Sequence, residues 1–219
     1  MSHAQLLAAT DLFRHLDAPA LQRLDTLAVN RTFRRGEVVF TEGAEPDSLF
    51  VVARGRIAIA NKSFDGRESV VALMERGDLF GEMPLFDHQT RSAEARALEP
   101  SKVIELTYDP LRDLYEESPE LLWRVVELLA LRLRVTDAAL ADSFFLDVTG
   151  RTAKRLLELS NGEDEFALPV TQEELAGMVG ASRERVNKSI ASFIRLGWIA
   201  QIDRRYRITN REQLTRRAR

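Results

Sequence analysis

Residues 171–199 read TQEELAGMVGASRERVNKSIASFIRLGWI, and this stretch decides the fold of the C-terminal part of the chain. Thr171 and Glu174 form a capping-box pattern at the start of one helix. Gly180 suits a tight turn, and Ser182 can cap a second helix. Apolar residues recur at helical spacing in both helices, namely Leu175, Ala176, Val179, Val186, Ile190 and Phe193. The pattern predicts a helix-turn-helix.

The outer face of the second predicted helix carries charged side chains that suit a DNA groove, namely Arg183, Glu184, Arg185 and Lys188. Arg and Lys donate to guanine O6 and N7, and Glu accepts from the cytosine N4 amine. A charged helix face is usually only solvated, but here Leu196-Gly197-Trp198-Ile199 and a strand pair around Asp203-Arg204 follow, as in a winged helix. We therefore predict double-stranded DNA as a partner, contacted by these four residues with Thr171 and Ser182.

Charge is unevenly distributed along the chain. Residues 1–145 hold 17 of the 31 Lys and Arg and 24 of the 34 Asp and Glu, so residues 146–219 are the basic part. A basic C-terminal part is the one that would meet a polyanion. A split of this size also arises by chance, so it supports the DNA prediction only together with the motif.

The composition excludes several classes of function. The 219 residues contain no Cys, which excludes disulfides, iron–sulfur clusters, thiolate zinc sites and Cys nucleophiles. The N-terminus has no basic region followed by an apolar core, and no stretch approaches the roughly 18 consecutive apolar residues of a membrane span. We expect a soluble, cytoplasmic protein with no membrane partner.

The middle of the chain is typical of a β-domain. Between Phe33 and Leu106, glycines separate short β-rich runs at the spacing expected of a sandwich or barrel. The runs are EVVF, SLFVVA, RIAIA, ESVVALM and VIEL. Asp65-Gly66 is a hairpin signal. Two short helices, over residues 5–13 and 20–29, are predicted before this domain, the second with Pro19 in its first turn.

A long helix is predicted next, because no Gly or Pro interrupts residues 120–144. Its apolar stripe is Leu122, Val125, Leu129, Leu133, Leu140 and Phe144. Such a stripe can pack against the barrel, but a helix of this length commonly packs on a twin, so we expect a homodimer. Residues 145–150 break the helix and are interpreted as a hinge, with Asp147 or Thr149 capping the next helix.

A second group of candidate functional residues lies in residues 77–95, which read GDLFGEMPLFDHQTRSAEA. Gly81 allows a close backbone approach, Glu82 is an acceptor suited to a ribose hydroxyl, and Arg91-Ser92 puts a guanidinium fork beside a hydroxyl. A short helix beginning near Glu82 would add backbone N–H groups facing an anion. The set fits a nucleotide phosphate, although a Glu and an Arg in a β-domain more often form a surface ion pair.

These motifs occur in one order, with FFLDVTGR at 144–151 and VGASRERVNK at 179–188. The chain closely resembles the cyclic-AMP receptor protein family of bacterial transcription regulators, also called the catabolite activator and fumarate–nitrate regulator (CRP/FNR) family. The resemblance covers nearly the whole chain. The GRESVVALM segment, the SRExVNK helix and the RRAR ending resemble the actinobacterial branch.

The resemblance implies roles for individual residues. In the family, the Gly-Glu and Arg-Ser pairs hold the ribose and the cyclic phosphate, which implies Gly81, Glu82, Arg91 and Ser92 here. It implies that the base is covered by Ile59, Val71 and Met74, and contacted by Thr136 and Asp137 of the long helix. It implies DNA base contacts by Arg183, Glu184 and Lys188. The chain departs from the family pattern at two positions, and both bear on ligand identity. Pro84 stands where the family usually has a small residue with a free N–H, and Asp137 stands where Ser or Asn is more usual.

The resulting prediction is an α+β chain with three parts. Residues 1–118 form a cyclic-nucleotide-binding β-barrel of the jelly-roll type, residues 119–145 the long dimerisation helix, and residues 146–219 a winged helix-turn-helix. We expect a homodimeric, non-enzymatic transcription regulator with cyclic AMP as allosteric ligand and RNA polymerase as a further partner. Cyclic GMP, another ligand, or activity without ligand are the alternatives.

Other classes fit the sequence less well. A metal-dependent β-barrel enzyme of the cupin kind would need clustered ligands, whereas the only histidines are His3, His15 and His88, scattered along the chain. We therefore expect no metal and no haem, with His88 as the one histidine left open as a haem ligand. A cyclic-nucleotide module acting on a partner protein would leave the winged helix unexplained.

Overall fold

A computed structural model describes residues 3–62, 68–203 and 205–219. The chain forms two compact units. The first comprises Met1–Asn61 and Val71–Leu133, and the second Lys62–Val70 and Arg134–Arg219. The predicted hairpin turn at Asp65-Gly66 and residue Arg204 of the predicted wing lie outside the described residues.

The helices are α1 (His3–Ala8), α2 (Ala18–Leu27), α3 (Met83–Asp87), α4 (Tyr108–Glu117), α5 (Leu122–Phe145), α6 (Val148–Leu159), α7 (Gln172–Val179), α8 (Arg183–Arg195) and α9 (Arg211–Arg217). The strands are β1 (Val29–Phe33), β2 (Val38–Phe40), β3 (Ser48–Arg54), β4 (Ile57–Lys62), β5 (Glu68–Met74), β6 (Leu79–Phe80), β7 (Glu94–Ala97), β8 (Ser101–Thr107), β9 (Glu165–Ala167), β10 (Ile199–Ile202) and β11 (Arg205–Ile208). A short 3₁₀ turn, Pro119–Leu121, precedes α5.

Two four-stranded sheets make up the β-domain, with strand orders β1-β8-β3-β6 and β2-β7-β4-β5. Strand β3 explains why an uninterrupted apolar run marks this domain. Phe50 and Val52 join a core between the two sheets with Ile57 and Val103. Leu49 and Val51 point to the other face, into a second core with α1, α2 and α4. Because successive side chains alternate between faces, a strand covered on both sides must be apolar throughout.

The five predicted strand segments are all present as strands, and three further strands of the described β-domain, β1, β6 and β7, were not predicted. Strand β1 is almost wholly exposed, so it has no buried alternation to signal it. Strand β7 reads EARA, a composition that favours helix, yet it pairs with both β2 and β4. Tertiary pairing overrides local propensity here.

The first predicted N-terminal helix is shorter than expected, and the second begins and ends earlier than expected. The prediction over residues 5–13 is wrong beyond Ala8, where a series of turns continues to Leu16 and the Thr10 hydroxyl donates to Leu6 O at 3.1 Å. Helix α2 ends at Leu27, because Ala28 is already extended and Val29 starts β1. Pro19 lies in the first turn of α2, as predicted, and the Asp17 side chain caps the helix.

Helix α5 confirms the long predicted helix but corrects its apolar stripe. Val125 is only 4% exposed, because it packs into the core of the first unit with Leu111 and Leu114. Val126, in contrast, is exposed. The exposed stripe therefore advances in steps of four, three and four, as in a coiled-coil seam. Its first members are Leu122, Val126, Leu129 and Leu133.

The second unit contains the predicted helix-turn-helix, formed by α7 and α8. Thr171 and Glu174 form the capping box, Gly180 ends α7 with a φ of 67°, and Ser182 caps α8 by accepting from Arg185 N. All six predicted apolar positions are buried. Strands β10 and β11 pair with each other, and β11 also pairs with β9, which completes the winged motif.

The predicted hinge is the short connection between α5 and α6. Asp147 caps α6 by accepting from Gly150 N at 2.8 Å, as the sequence suggested. The Arg217 side chain of α9 also binds the Asp147 carboxylate. Arg151 donates to Leu146 O at 2.7 Å and to Val179 O at 2.8 Å, so it links the connection to the end of α7.

Candidate functional site

The Gly81-Glu82 pair lies between β6 and α3, where a side chain on the first residue would not fit. Gly81 has a φ of 78°, in the left-handed region that favours glycine. A Cβ atom there would come within 2.7 Å of Arg91 Nη1 and 3.3 Å of the Phe40 ring. The glycine therefore makes room for the arginine side chain that the sequence associates with it.

Arg91 is buried, with 4% of its surface exposed, and its guanidinium is held by neutral oxygens. Nη1 donates to Gly81 O at 2.8 Å and to the Tyr108 hydroxyl at 3.0 Å, and Nη2 donates to Ser48 O at 2.7 Å. The guanidinium carbon lies 4.2 Å from the centroid of the Phe40 ring. Nε is buried and has no hydrogen-bond acceptor among the described residues. A surface ion pair with Glu82, the alternative interpretation of the sequence, is not what forms.

Glu82 is buried as well, and its carboxylate pairs with Arg132 of α5. Arg132 also donates to Leu79 O at 2.6 Å. Burial raises the pKa of the Glu82 carboxyl above its ordinary value, while the charges of Arg132 and Arg91 act in the opposite direction. The short helix α3 begins after Glu82, as predicted. Pro84 lies in its first turn, where a missing N–H costs no helical hydrogen bond.

Tyr108 is a site residue that the sequence did not indicate. It is buried, and its hydroxyl donates to Gly81 O at 2.5 Å while accepting from Arg91. Burial raises the pKa of Tyr108 to about 12, so the hydroxyl remains a donor at neutral pH. Neither Tyr108 nor Arg132 lies in the 77–95 segment, and no local motif could connect them with it.

The structure brings some of the remaining pocket candidates together. Ile59 and Met74 both pack against the cluster of buried residues between the two sheets. Val71, however, is 56% exposed, and alternation along β5 puts it on the opposite face from Met74. Ser92 is exposed, with Oγ 3.9 Å from Met83 Sδ. Thr136 and Asp137 are exposed on the part of α5 that belongs to the second unit.

The candidate DNA interface is the exposed face of α8. Arg183, Glu184, Arg185 and Lys188 are all exposed there, and Thr171 and Ser182 are exposed caps. Lys188 Nζ lies 2.8 Å from Glu184 Oε1. The hydrogen bond and charge of Lys188 lower the pKa of Glu184, so this side chain is an ionised acceptor at neutral pH.

A groove beside α8 adds residues that the sequence analysis did not select. It lies between the first turn of α6 and the exposed side of α8. Its lining combines two cations and three hydroxyl groups with the carboxylate of Asp147 and the Val148 side chain, the cations and hydroxyls being those of Arg185, Lys188, Thr149, Ser189 and Ser192. Cations and hydroxyls of this kind bind phosphate oxygens of a nucleic-acid backbone. Thr149 and Ser189 are 40 residues apart in sequence, so no local pattern could reveal the grouping.

Metal-binding and membrane-spanning features are both absent from the described part of the chain. In residues 3–62, 68–203 and 205–219, no three His, Asp or Glu side chains gather in a way that could hold a metal ion. Over the same ranges, no helix has both the length and the apolar character needed to cross a membrane.

Comparison with family models matches both parts of the chain. Residues 30–118 match the cyclic nucleotide-binding domain, and residues 150–217 match the Crp-like helix-turn-helix domain. The first match contains Glu82, Arg91 and Tyr108, and the second contains all of α8.

Several known proteins are similar to this chain over most of its length. A CRP-like cAMP-activated global transcriptional regulator of Mycobacterium tuberculosis is 36% identical over 222 residues, covering 98% of this chain and 99% of that protein. The cAMP-activated regulator Vfr of Pseudomonas aeruginosa is 33% identical, covering 83% of this chain and 91% of that protein. The solved structure of the c-di-GMP-responsive regulator CLP of Xanthomonas campestris is 26% identical in sequence, with a TM-score of 0.75. The match covers 88% of this chain and 99% of that chain.

The arrangement of the two matched domains agrees with the observed fold, in which a two-sheet β-domain precedes a long helix and a helix-turn-helix. Proteins with these domains are DNA-binding transcription regulators rather than enzymes. This chain belongs to the CRP/FNR family of cyclic-nucleotide-linked transcription regulators.

Proposed function

We propose that this chain is a cytoplasmic, homodimeric transcription regulator that binds cyclic AMP in its β-domain and then binds a palindrome with TGTGA-like half-sites. In this proposal residues 1–118 bind the nucleotide, residues 119–145 form the dimer helix, and residues 146–219 bind DNA and meet RNA polymerase.

The environment of Arg91 is the observation that carries the nucleotide part of the proposal. All the hydrogen bonds of the buried Arg91 guanidinium go to neutral oxygens, so no anion is bonded to it directly. Its Nε–H is also unused among the described residues. A cyclic phosphate would supply both the negative charge and acceptor oxygens, in the fork geometry that arginine suits.

Neighbouring residues would bind the rest of the nucleotide. Glu82 would accept from the ribose 2′-hydroxyl, with Gly81 allowing close approach and Ser92 donating to the phosphate. Ile59 and Met74 would cover the base, with Val71 at the rim. Thr136 and Asp137 would contact the purine from the long helix. Binding to Glu82 would compete with the Arg132 ion pair, so part of the binding energy would be spent in exchanging that pair.

Ligand identity depends most on Asp137. A carboxylate can accept from the adenine N6 amine, but it can also accept from both N1–H and the N2 amine of guanine, so cyclic GMP is the competing ligand. The names of the mycobacterial and Pseudomonas relatives favour cyclic AMP. The c-di-GMP-responsive regulator from Xanthomonas is a reminder that this fold accepts other nucleotides.

The DNA part of the proposal rests on α8. Arg183, Glu184 and Lys188 would read G·C pairs from the major groove, and the Glu184–Lys188 ion pair would exchange for base contacts. Arg185 and the caps Thr171 and Ser182 would bind backbone phosphates. Ligand binding would reposition the α8 helices of the dimer through the connection at residues 145–150.

Calorimetric titration of the protein with cyclic AMP and cyclic GMP tests the nucleotide site. We expect one nucleotide per chain with cyclic AMP bound more tightly. Arg91→Lys should weaken cyclic AMP binding at least about tenfold, because an ammonium group cannot form a bidentate hydrogen bond to the phosphate. Arg91→Gln should abolish it.

Arg23→Gln is the matched control, because Arg23 pairs with Glu117 on the surface of the same unit. Its affinity for cyclic AMP should equal that of the wild type. Undiminished binding by Arg91→Gln would place the site elsewhere, and tighter binding of cyclic GMP would reverse the assignment of the base.

A further inference from the structure

Some N–H donors of Arg91 are used inside the protein and others are not, and Tyr108 is one of the acceptors that decide which. A guanidinium has five N–H groups. Nη1 uses both of its groups, on Gly81 O and on the Tyr108 hydroxyl, and Nη2 uses one on Ser48 O. The Nε–H remains without an acceptor among the described residues, and the one hydrogen bond from Nη2 to Ser48 O leaves the second N–H of Nη2 for a further acceptor. These are the donors left for an incoming anion.

Tyr108 is itself held in place from two sides. Its backbone N–H, at the first residue of α4, donates to Asp47 O at 2.8 Å. Its hydroxyl donates to Gly81 O, the same carbonyl that accepts from Arg91. The hydroxyl therefore joins the arginine to the Gly81-Glu82 turn in a closed triangle of hydrogen bonds. The pKa of Tyr108, raised by burial to about 12, keeps the proton that this arrangement requires.

We propose that Tyr108 is a positioning residue for ligand binding: it fixes the Nη1 end of the Arg91 guanidinium, so that the opposite donors are presented to the cyclic phosphate. The proposal rests on the proposed role of Arg91 in holding that phosphate. Without the hydroxyl, the guanidinium keeps two of its three hydrogen bonds, from Nη1 to Gly81 O and from Nη2 to Ser48 O. Its Nη1 end would then be held by one acceptor instead of two, and the guanidinium would be less firmly oriented before ligand arrives.

Tyr115 offers a matched control for this idea. It lies on the same helix, α4, and is also buried, but its hydroxyl has no hydrogen-bond partner among the described residues. Tyr115→Phe removes the same atom from the same element without touching Arg91. Tyr108→Phe keeps the ring and the volume, and Gly81 O still accepts from Arg91, so both variants are expected to fold.

The test is calorimetric titration of the full chain with cyclic AMP and with cyclic GMP, which share the cyclic phosphate. Tyr108→Phe should weaken binding about tenfold, the worth of one hydrogen bond to a charged group. Tyr115→Phe should stay within about twofold of the wild type. In an Arg91→Lys background, adding Tyr108→Phe should change the affinity by less than about twofold, because lysine has no Nε–H for Tyr108 to orient.

The possible outcomes separate the two claims. If the wild type binds and Arg91→Gln does not, equal affinities of Tyr108→Phe and Tyr115→Phe overturn the role of Tyr108 and leave the role of Arg91 intact. A tenfold loss in both the Arg91 and Arg91→Lys backgrounds also overturns it, since Tyr108 would then act independently of the arginine. If the wild type binds neither nucleotide, the proposed function fails and this inference fails with it.

Discussion

At the scale of residues, the chain has two kinds of ion pair with different energetic weight. Glu82 is almost wholly buried and pairs with Arg132, whereas Arg23 and Glu117 pair in solvent. Removing one member of a buried pair leaves an uncompensated charge, which costs far more than losing an exposed pair. Arg132, the partner of the buried Glu82, is therefore expected to contribute to stability.

Arg132→Met should lower the free energy of unfolding of the ligand-free protein by about 2–3 kcal/mol at neutral pH, because Glu82 would remain buried without its partner. Urea unfolding measures this, and Arg23→Met, the control, should leave the free energy of unfolding close to that of the wild type, because solvent screens the exposed Arg23–Glu117 pair. A carboxyl whose folded pKa is raised contributes stability at low pH that is lost as pH rises through the folded pKa. Losing Arg132 raises the pKa of Glu82 further. The difference in the free energy of unfolding between wild type and Arg132→Met should therefore decrease as pH falls, because Glu82 becomes protonated and no longer needs its partner. A gap that widens on acidification would contradict this account of Glu82.

The same residues define how far sequence reasoning reaches at this scale. Gly81, Glu82 and Arg91 lie within one short segment, and the chemistry of their side chains and backbone is enough to indicate an anion site. Arg132 and Tyr108 lie 50 and 27 residues from their partners Glu82 and Gly81. Their roles arise from tertiary packing, for which no local spacing exists.

At the scale of elements, helix α5 has one face packed on the β-domain and one exposed apolar face. Val125 and Arg132 lie on the side that contacts the β-domain, through the core and through Glu82. The exposed side carries Leu122, Val126, Leu129, Leu133 and Leu140, with Thr136 at the position that continues the alternation. A sequence pattern could place the helix but could not tell Val125 from Val126, because adjacent residues differ by only 100° around the axis.

Leu133→Asp should convert the protein from a dimer to a monomer, because it puts two like charges opposite each other in an apolar seam. Light scattering at micromolar concentration should give about twice the chain mass of 24.8 kDa for the wild type and about one chain mass for the variant. Leu131→Asp is the control, since Leu131 has a similar exposure, 57% against 61%, but lies on the other side of the helix. A wild type that is monomeric with and without nucleotide, or a dissociating Leu131→Asp, would refute the seam.

At the scale of the whole molecule, the sequence predicted the order of parts well, because each part has its own periodicity. The β-rich runs, the uninterrupted helix and the capped helix-turn-helix correspond to strands β2–β5 and β8, to α5, and to α7 and α8. Strands β1, β6, β7 and β9 could not be predicted, because they exist through pairing with distant segments rather than through their own pattern. The sequence does not reveal how strongly nucleotide binding changes the affinity for DNA, and this coupling has to be measured.

The most direct test of the central claim is DNA binding measured with and without cyclic AMP, by fluorescence anisotropy on a duplex with two TGTGA half-sites. Cyclic AMP should raise the affinity by a coupling free energy of about 1–3 kcal/mol. Arg183→Ala should lower the affinity by about 1–3 kcal/mol per half-site, whereas Arg195→Ala, at the far end of the same helix, should leave it unchanged. The same affinity with cyclic AMP, with cyclic GMP and with neither would contradict the account, as would an Arg183→Ala variant that binds the palindrome like the wild type.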